Sequence, residues 1–459
     1  MRFILITLIL MVLATPPGGS INRLWNIPFD SIKSKTVKSY SYDSAQVEEI
    51  KYRSRDYKGN PVWIFGYYVY PKSKKELPAI LLVHGGGGNA HLGRAANWAR
   101  RGYAVLAVDL PGKGEQRANS RSTGPNMDVP TLLKTQPDLT HNYLIHAVAA
   151  ARNGITYLSK RKEVDPENIG MVGLSWGGVI TLLTNGQDKR LKTAVNVFGA
   201  GYIPEGCTWQ ERFDAMTKED LDLWNSFIDP KNFLKTQHAP ILFISGTNDH
   251  CYYLPTFQKS YEEVKAPKKI YLVPNLRHRF LADTQKVVWR WLDIKLKGKG
   301  SFPKIDHRPA FVKGNKLIIP ITAKSSSKIK RATLYYAKGQ PSSWTKKAWK
   351  GINGYYDSGI YYFGVPLSLI SPSIQFFITV EDSKNGTASI PVRSLVKVIL
   401  PNGKEVYTVS SPIEKTYISQ APFDFIGNEL IPRFKQLHLS KKEKVYKLIR
   451  YPKIKSLGK

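Results

Sequence analysis

The chain has 459 residues, of which 42% are hydrophobic and 12% aromatic, so a chain that is disordered over most of its length is excluded. The length predicts two or three domains. The formal net charge of +33 indicates either a lysine-rich solvated surface or an anionic partner such as an acidic polysaccharide.

The N-terminus has the pattern of a secretory signal peptide. Arg2 supplies a positive charge, residues 3–14 form an apolar segment, and small residues precede a cleavage point after Ala14. The segment is shorter than the roughly 20 residues of a membrane span, and no later segment is long and apolar enough to be one. An uncleaved anchor or a buried strand is the alternative. We therefore predict a signal peptide at 1–14, a secreted or periplasmic protein, and no nucleic-acid partner.

Strands and helices alternate between residues 30 and 298. Two β-type runs come first, at 47–52 and 62–70, after a polar segment at 15–45 that we expect to be irregular. Continuous apolar runs then follow at 79–83, 104–109, 169–174, 191–197, 241–245 and 270–273. Helical spacing recurs from Leu144 to Leu158, and residues 281–296 form a closing helix. The pattern predicts an α/β domain, with a mostly parallel sheet covered by helices on both faces.

The pattern changes beyond a linker at 297–301. Short β-type runs, at 317–321, 332–336, 360–365 and 374–380, are separated by turn residues. They predict a small antiparallel β-sandwich of immunoglobulin-like type over 301–396, followed by a basic tail at 397–459. Four aromatic side chains in this region either stack on sugars or, as we favour, pack in the core; they are Trp344, Trp349, Tyr355 and Tyr356.

Ser175 is the candidate nucleophile. It is the centre of Gly173-Leu174-Ser175-Trp176-Gly177, between a predicted strand and a predicted helix, which is the context of a nucleophile elbow. The Trp176 N–H, at the start of the helix, is aimed at a developing oxyanion. The glycine run after His84 is expected to supply a second donor from Gly85 or Gly86, and no Gly-Lys-Ser/Thr follows that would make it a phosphate-binding P-loop.

Asp249 and His278 are the candidate partners of this serine. A serine hydroxyl needs a base with a pKa near neutrality, and a carboxylate must orient that base. Asp249 follows the strand at 241–245, and His278 lies between the last strand and the closing helix, so both are expected at the carboxyl edge of the sheet. His250 is an alternative base, although it is adjacent to Asp249 in one short turn.

Cys207 and Cys251 are the only cysteines, too few for a disulfide scaffold or a structural zinc site. They follow two strands that we expect to be neighbours. Either a disulfide bond braces the Asp249 loop, or the two are free buried thiols.

Four stretches carry a resemblance to a known family: the glycine run after His84, the turn at 164–170, Ser175-Trp176-Gly177-Gly178, and Gly246-Thr247-Asn248-Asp249. Over residues 60–298 the chain resembles the bacterial acetyl xylan esterase-like α/β-hydrolases, near the dienelactone hydrolase and prolyl oligopeptidase branches. The resemblance implies an α/β-hydrolase fold, the triad Ser175, Asp249 and His278, and an oxyanion hole from the glycine loop and Trp176. It also implies no metal and no organic cofactor.

Arg279 departs from the family pattern, because relatives often have glycine after the catalytic histidine. Two roles are open for it: lowering the pKa of His278, or contacting an anionic substrate. We also expect His84 to contact the substrate. The long connection at 112–141 is rich in turn residues, and we expect it to shape the substrate mouth.

The function implied is that of an exported serine esterase that removes O-acetyl groups from poly- or oligosaccharides through an acyl-enzyme. A serine peptidase of the prolyl oligopeptidase type is one alternative, although no propeller domain precedes the catalytic domain. A non-catalytic glycan-binding protein on the same fold is the other. The sequence does not predict an oligomeric state.

Overall fold

The computed structural model describes residues 24–27, 31–114, 117–338, 344–370, 372–400, 403 and 405–410. The predicted signal peptide and most of the predicted basic tail lie outside these residues. The strands are β1 (Ser34–Tyr42), β2 (Ala45–Tyr57), β3 (Asn60–Pro71), β4 (Leu77–Val83), β5 (Ala104–Asp109), β6 (Val164–Leu174), β7 (Leu191–Val197), β8 (Ile241–Gly246), β9 (Lys268–Val273), β10 (Lys304–His307), β11 (Phe311–Lys313), β12 (Lys316–Lys324), β13 (Ile329–Lys338), β14 (Lys350–Asn353), β15 (Tyr355–Asp357), β16 (Ile360–Pro366), β17 (Ser373–Asp382), β18 (Thr387–Ser389), β19 (Arg393–Ile399) and β20 (Glu405–Ser410). The α-helices are α1 (Leu92–Ala99), α2 (Val129–Leu132), α3 (Tyr143–Ser159), α4 (Trp176–Asn185), α5 (Gln210–Asp214), α6 (Lys218–Phe227), α7 (Leu254–Glu263) and α8 (Ala282–Lys297).

The first nine strands form one sheet in the order β1-β2-β3-β5-β4-β6-β7-β8-β9. From β5 to β9 all neighbours are parallel, whereas β1, β2 and β3 pair in antiparallel fashion and β3 is antiparallel to β5. The predicted α/β class with a mostly parallel sheet is confirmed.

Helices cover both faces of the parallel strands, which is why these strands contain continuous apolar runs. On one face, α3 lies against β4, where a Cβ atom at Gly154 would be 3.0 Å from Leu81. The adjacent residue, Leu82, points to the other face, into a cavity that it lines together with Trp98 of α1 and Trp289 of α8. Every residue of β5 and of β8 is buried. The carboxyl ends of the parallel strands β6, β8 and β9 lead into the site described below.

β1 differs from the prediction, which made residues 15–45 irregular. It is an edge strand whose residues are all partly or fully exposed, and it pairs only with β2 among the described strands. A strand without a buried face has no reason to alternate apolar and polar residues. The alternating pattern used to predict strands is therefore missing here.

The strands from β10 onward are antiparallel, and the four runs predicted from the sequence lie within β12, β13, β16 and β17. One sheet has the order β10-β12-β16-β15, with β11 paired to β12. The other, built around β17 and β13, continues the main sheet because Ser389 of β18 pairs with Ile270 of β9. Strand pairing also continues through β19 and β20, past the predicted boundary at residue 396.

The four aromatic side chains of this β domain divide into two groups. Trp344 and Trp349 are buried, with 9% and 4% of their surface exposed. Tyr355 and Tyr356 are exposed, at 71% and 58%. Core packing, the favoured prediction, therefore holds for the tryptophans alone. Among the described helices, none combines the length and the apolarity needed to cross a membrane.

Candidate active site

Ser175 lies on the sharp turn between β6 and α4, with φ 58° and ψ −121°. A positive φ is costly for a residue with a side chain. The turn is stabilised by a hydrogen bond from the Ser175 N–H to the Val197 carbonyl of the neighbouring strand β7, at 2.8 Å. Glycine is required on both sides. A Cβ atom at Gly173 would lie 1.9 Å from the Gly177 carbonyl oxygen, and one at Gly177 would lie 2.4 Å from the Val83 carbonyl oxygen.

Ser175, His278 and Asp249 form one hydrogen-bonded chain. The Ser175 Oγ lies 2.9 Å from His278 Nε2, and His278 Nδ1 lies 2.8 Å from Asp249 Oδ2. With Asp249 ionised, Nδ1–H donates to the carboxylate, which leaves Nε2 free to accept the serine proton. The rival base, His250, is outside this chain, with its ring centre 6.0 Å from that of His278.

Asp249 is fixed by its own turn. It is 1% exposed, and its Oδ1 accepts hydrogen bonds from the backbone N–H groups of Cys251 at 2.7 Å and Tyr252 at 3.0 Å. The other carboxylate oxygen therefore points at His278. This arrangement orients the imidazole ring and can stabilise its charged form.

The pKa of His278 is raised to about 9. Burial alone would lower this pKa, but hydrogen bonding and electrostatic interaction with Asp249 and Cys251 act in the opposite direction and prevail. The net pKa of His278 is thus raised rather than lowered, and the part that Arg279 plays beside it stays a prediction. Arg277 and Arg279 are both exposed, on either side of His278.

The predicted oxyanion donors lie beside Ser175. A Cβ atom at Gly85 would be 2.8 Å from the Ser175 Cβ, and one at Gly86 would be 3.2 Å from the Trp176 ring. Within the described part of the chain, the N–H groups of Gly86 and Trp176 donate to no protein acceptor. Such unsatisfied donors at a helix start are suited to an anionic oxygen.

His84 supports the glycine loop rather than facing the substrate. The Leu110 N–H donates to its Nε2 at 3.0 Å, so Nδ1 carries the proton and donates to the Gly85 carbonyl at 2.7 Å. Its side chain is only 8% exposed, and burial, with the Arg117 charge, lowers the pKa of His84 to about 3. Both ring nitrogens are occupied, so the predicted substrate contact is replaced by a positioning role.

A buried ion pair between Arg117 and Asp109 supports the glycine loop after His84. The sequence analysis did not predict it. The Arg117 guanidinium lies 2.7 Å from Asp109 and also donates to the carbonyls of Gly88, Leu110 and Pro111. Arg117 belongs to the connection at 112–141, expected to shape the substrate mouth. Contacts of this connection tie it to the glycine loop, to β3 and to α6, and its role in shaping the substrate mouth stays a prediction.

The β domain contacts both loops that carry the partners of Ser175. The Asn248 amide donates to the Lys347 carbonyl at 2.7 Å, next to Asp249 in the chain. Three residues before His278, Asn275 exchanges hydrogen bonds with the backbone of Trp349. Asn275 N–H also donates to Thr247 Oγ1 at 2.8 Å, which links the two loops directly. These contacts join distant segments, and nothing local in the sequence indicated them.

Aromatic rings surround Trp176 and His278 in the site. Trp176 contacts Trp209 and Tyr252, with ring centres 4.8 and 5.8 Å apart. The His278 ring packs against Phe198 at 4.6 Å and Tyr252 at 6.1 Å. These rings give Ser175 an apolar surrounding, in which hydrogen bonds to a reacting group are stronger than in water.

Cys207 and Cys251 are both free, so the suggested disulfide is not formed. Their segments do meet, but through the backbone, with the Thr208 N–H donating to the Cys251 carbonyl at 3.0 Å. The Cys251 thiol instead lies near His278. Asp249, Cys251 and His278 offer ligand atoms within 4.8 Å of one another, the one such group among the described residues, although the first and last are already bonded to each other.

Comparison with known proteins identifies the family of this arrangement. The sequence profile of the dienelactone hydrolase family matches residues 64–295, half of the chain. The chain belongs to the dienelactone hydrolase family. Acetyl esterase Axe7A of Xylanibacter ruminicola is 23% identical over 249 residues, which are 51% of this chain and 56% of that protein. The chain thus spans about half the length of this curated relative.

Two solved structures share the fold. Acetyl xylan esterase 1 from a Thermoanaerobacterium species superposes with a TM-score of 0.51 at 18% identity, covering 60% of this chain and 92% of that one. An acetyl xylan esterase from a Paenibacillus species gives a TM-score of 0.51 at 22% identity, covering 61% and 93%. These similarities show that this chain has the α/β-hydrolase fold.

Proposed function

We propose that this protein is a serine esterase that hydrolyses small carboxylic esters, O-acetyl groups above all, on poly- or oligosaccharides. The observation that carries the proposal is the hydrogen-bonded chain from Ser175 through His278 to Asp249. The relatives described as acetyl esterase and acetyl xylan esterases support the acyl group and the carbohydrate class.

The reaction proceeds in two halves. Ser175 Oγ attacks the ester carbonyl carbon while His278 Nε2 takes its proton, and the resulting oxyanion is held by the N–H groups of Trp176 and the glycine loop. The intermediate collapses when His278 gives the proton to the departing alcohol oxygen, leaving Ser175 acylated. A water molecule, deprotonated by His278, then releases the carboxylic acid and restores the serine.

The alcohol part of the substrate is an anionic glycan in this proposal. Arg277 and Arg279 are exposed and adjoin His278 in the chain, and the chain carries a net charge of +33. Cations at the mouth of a site raise the local concentration of an anionic polymer. The pattern around Arg2 and Ala14 supports export, which would bring the enzyme to extracellular polymers.

A substrate panel tests the proposed function. Release of acetate is measured from acetylated neutral glycans and from acetylated acidic glycans, alongside cleavage of prolyl anilide peptides. We expect acetate release, fastest from the acidic glycans at low salt, and no anilide cleavage. Efficient peptide cleavage without acetate release would overturn the proposal in favour of a peptidase, and glycan binding without either reaction would favour a binding protein.

A further inference from the structure

The Tyr252 hydroxyl is a buried polar group without a partner. The side chain is fully buried, and the hydroxyl forms no hydrogen bond of normal geometry within the described part of the protein, although it lies close enough to the Ser175 hydroxyl for that group to lower its pKa. Buried polar groups are nearly always hydrogen-bonded, because an unpaired one costs free energy that water would otherwise recover. Phenylalanine would fill the same space without this cost. We therefore expect the Tyr252 hydroxyl to gain its hydrogen-bond partner when the substrate binds.

This hydroxyl belongs to the surroundings of Ser175. The Tyr252 backbone N–H is held by Asp249 Oδ1 at 3.0 Å, and its ring packs against Trp176 and His278. The Ser175 hydroxyl is among the groups that act on the ionisation of Tyr252. Burial, reinforced by the nearby Cys251, Cys207 and Asp249, raises the pKa of Tyr252 well above its usual value. The hydroxyl therefore keeps its proton and is available as a donor.

The Trp176 ring lies next to both Tyr252 and Gly86, one of the predicted oxyanion donors. This ring contacts Tyr252, and a Cβ atom at Gly86 would be 3.2 Å from it. The backbone N–H groups of Trp176 and Gly86 have no acceptor within the described residues. Three donors without partners, two from the backbone and one from a side chain, thus lie around one serine.

We propose that the Tyr252 hydroxyl donates a hydrogen bond to the ester carbonyl oxygen as it becomes an oxyanion, alongside the N–H groups of Trp176 and Gly86. The inference rests on the proposed function, because it needs an ester bound at Ser175. The proton stays on Tyr252 throughout, so the residue stabilises charge and transfers nothing. Its donation strengthens as the carbonyl oxygen gains charge, and it therefore acts mainly on kcat.

Tyr252→Phe tests this inference, with the half-buried neighbour Tyr253→Phe as the matched control. Loss of one oxyanion donor lowers kcat by roughly 10²–10³-fold. We expect a loss of that size in Tyr252→Phe with p-nitrophenyl acetate and with ethyl acetate alike, and a KM within about threefold of the unmodified protein. The equal loss is expected because the carbonyl oxygen is common to both esters. Tyr253→Phe should keep full activity.

Thermal unfolding of both variants separates this role from a structural one. We expect Tyr252→Phe to unfold at the same temperature as the unmodified protein or higher, because it removes a buried unpaired group. A kcat that is unchanged in Tyr252→Phe would overturn the inference and assign the hydroxyl to a bound water. A loss confined to ethyl acetate would also overturn it, because the hydroxyl would then assist the leaving alcohol. Either result leaves the proposed function intact. The proposed function fails only if the unmodified protein lacks esterase activity, or if a variant without Ser175 retains that activity.

Discussion

Asn275 and Trp349 exchange two hydrogen bonds across the boundary between the hydrolase and β domains. Asn275 Nδ2 donates to the Trp349 carbonyl at 2.9 Å, and the Trp349 N–H donates to Asn275 Oδ1 at 2.8 Å. Asn275 has a left-handed backbone with φ 58°, which asparagine tolerates better than most residues. The β domain is thereby attached to the loop that presents His278, and we propose that this attachment helps to position the imidazole ring.

Asn275→Gly tests that role. Glycine keeps the left-handed backbone but removes both hydrogen bonds, so the His278 loop is no longer fixed to the β domain. A misplacement of about 1 Å can cost roughly 100-fold in rate, and we expect kcat to fall by roughly 10- to 100-fold with little change in KM. Thr345→Ala is the control, since Thr345 contributes only its carbonyl to Asn248. A kcat within twofold of the unmodified protein would show that the contact is dispensable for the reaction.

The pH dependence of kcat/KM follows from His278. A general base must be unprotonated, so with a pKa of about 9 the rate should rise with pH until about 9 and fall progressively below it. Cys251→Ala removes one of the groups that raise this pKa, and we expect the midpoint of the pH–rate profile to move downward. A midpoint that is the same in Cys251→Ala and the unmodified protein would mean that Asp249 alone opposes the effect of burial.

Arg117→Met should destabilise the fold severely. It leaves Asp109, 2% exposed, as a buried charge without its cation, which typically costs about 3–5 kcal/mol. The free energy of unfolding, from urea titration, measures the loss. Arg121→Met is the matched control, because Arg121 also pairs with a carboxylate, Glu49, but its side chain is 40% exposed. Such exposed ion pairs contribute about 1 kcal/mol or less to the free energy of unfolding. Equal losses in the two variants would contradict this account of the loop.

Arg279→Gln should separate charged from neutral substrates. With p-nitrophenyl acetate we expect no change, since the side chain is exposed and the ester is neutral. With an acetylated acidic glycan, KM should rise roughly fivefold at low salt, corresponding to about 1 kcal/mol, and the difference should shrink at 1 M salt. Lys313→Gln, an exposed residue of β11, serves as the control for net charge. A glycan KM unaffected by Arg279→Gln would exclude this arginine from substrate binding.

Local patterns predicted the elements that bear the site. The glycines around Ser175 identify the turn because any side chain there would meet backbone. The turns with Asp249 and His278 follow strands with continuous apolar runs, although β9, before His278, is only half-buried. Where burial is one-sided or absent, as in the exposed strand β1, that signal disappears.

The parts that the sequence did not reveal depend on contacts between distant residues. Arg117 lies in a polar connection and Asp109 at the end of a strand, and no spacing rule relates them to the glycine loop. Asn248 and Asn275 resemble ordinary turn residues until the β domain is folded against them. Cys251 illustrates the reverse error, because neighbouring strands suggested a disulfide, whereas the thiol lies near His278.

The central claim is that Ser175 is the nucleophile, and the most direct measurement is kcat for p-nitrophenyl acetate in the Ser175→Ala variant. The account predicts a decrease of roughly 10⁴–10⁶-fold with an unchanged unfolding temperature, because a triad without its nucleophile retains only binding and oxyanion stabilisation. A Ser175→Ala variant that hydrolyses the ester at the rate of the unmodified protein would contradict it.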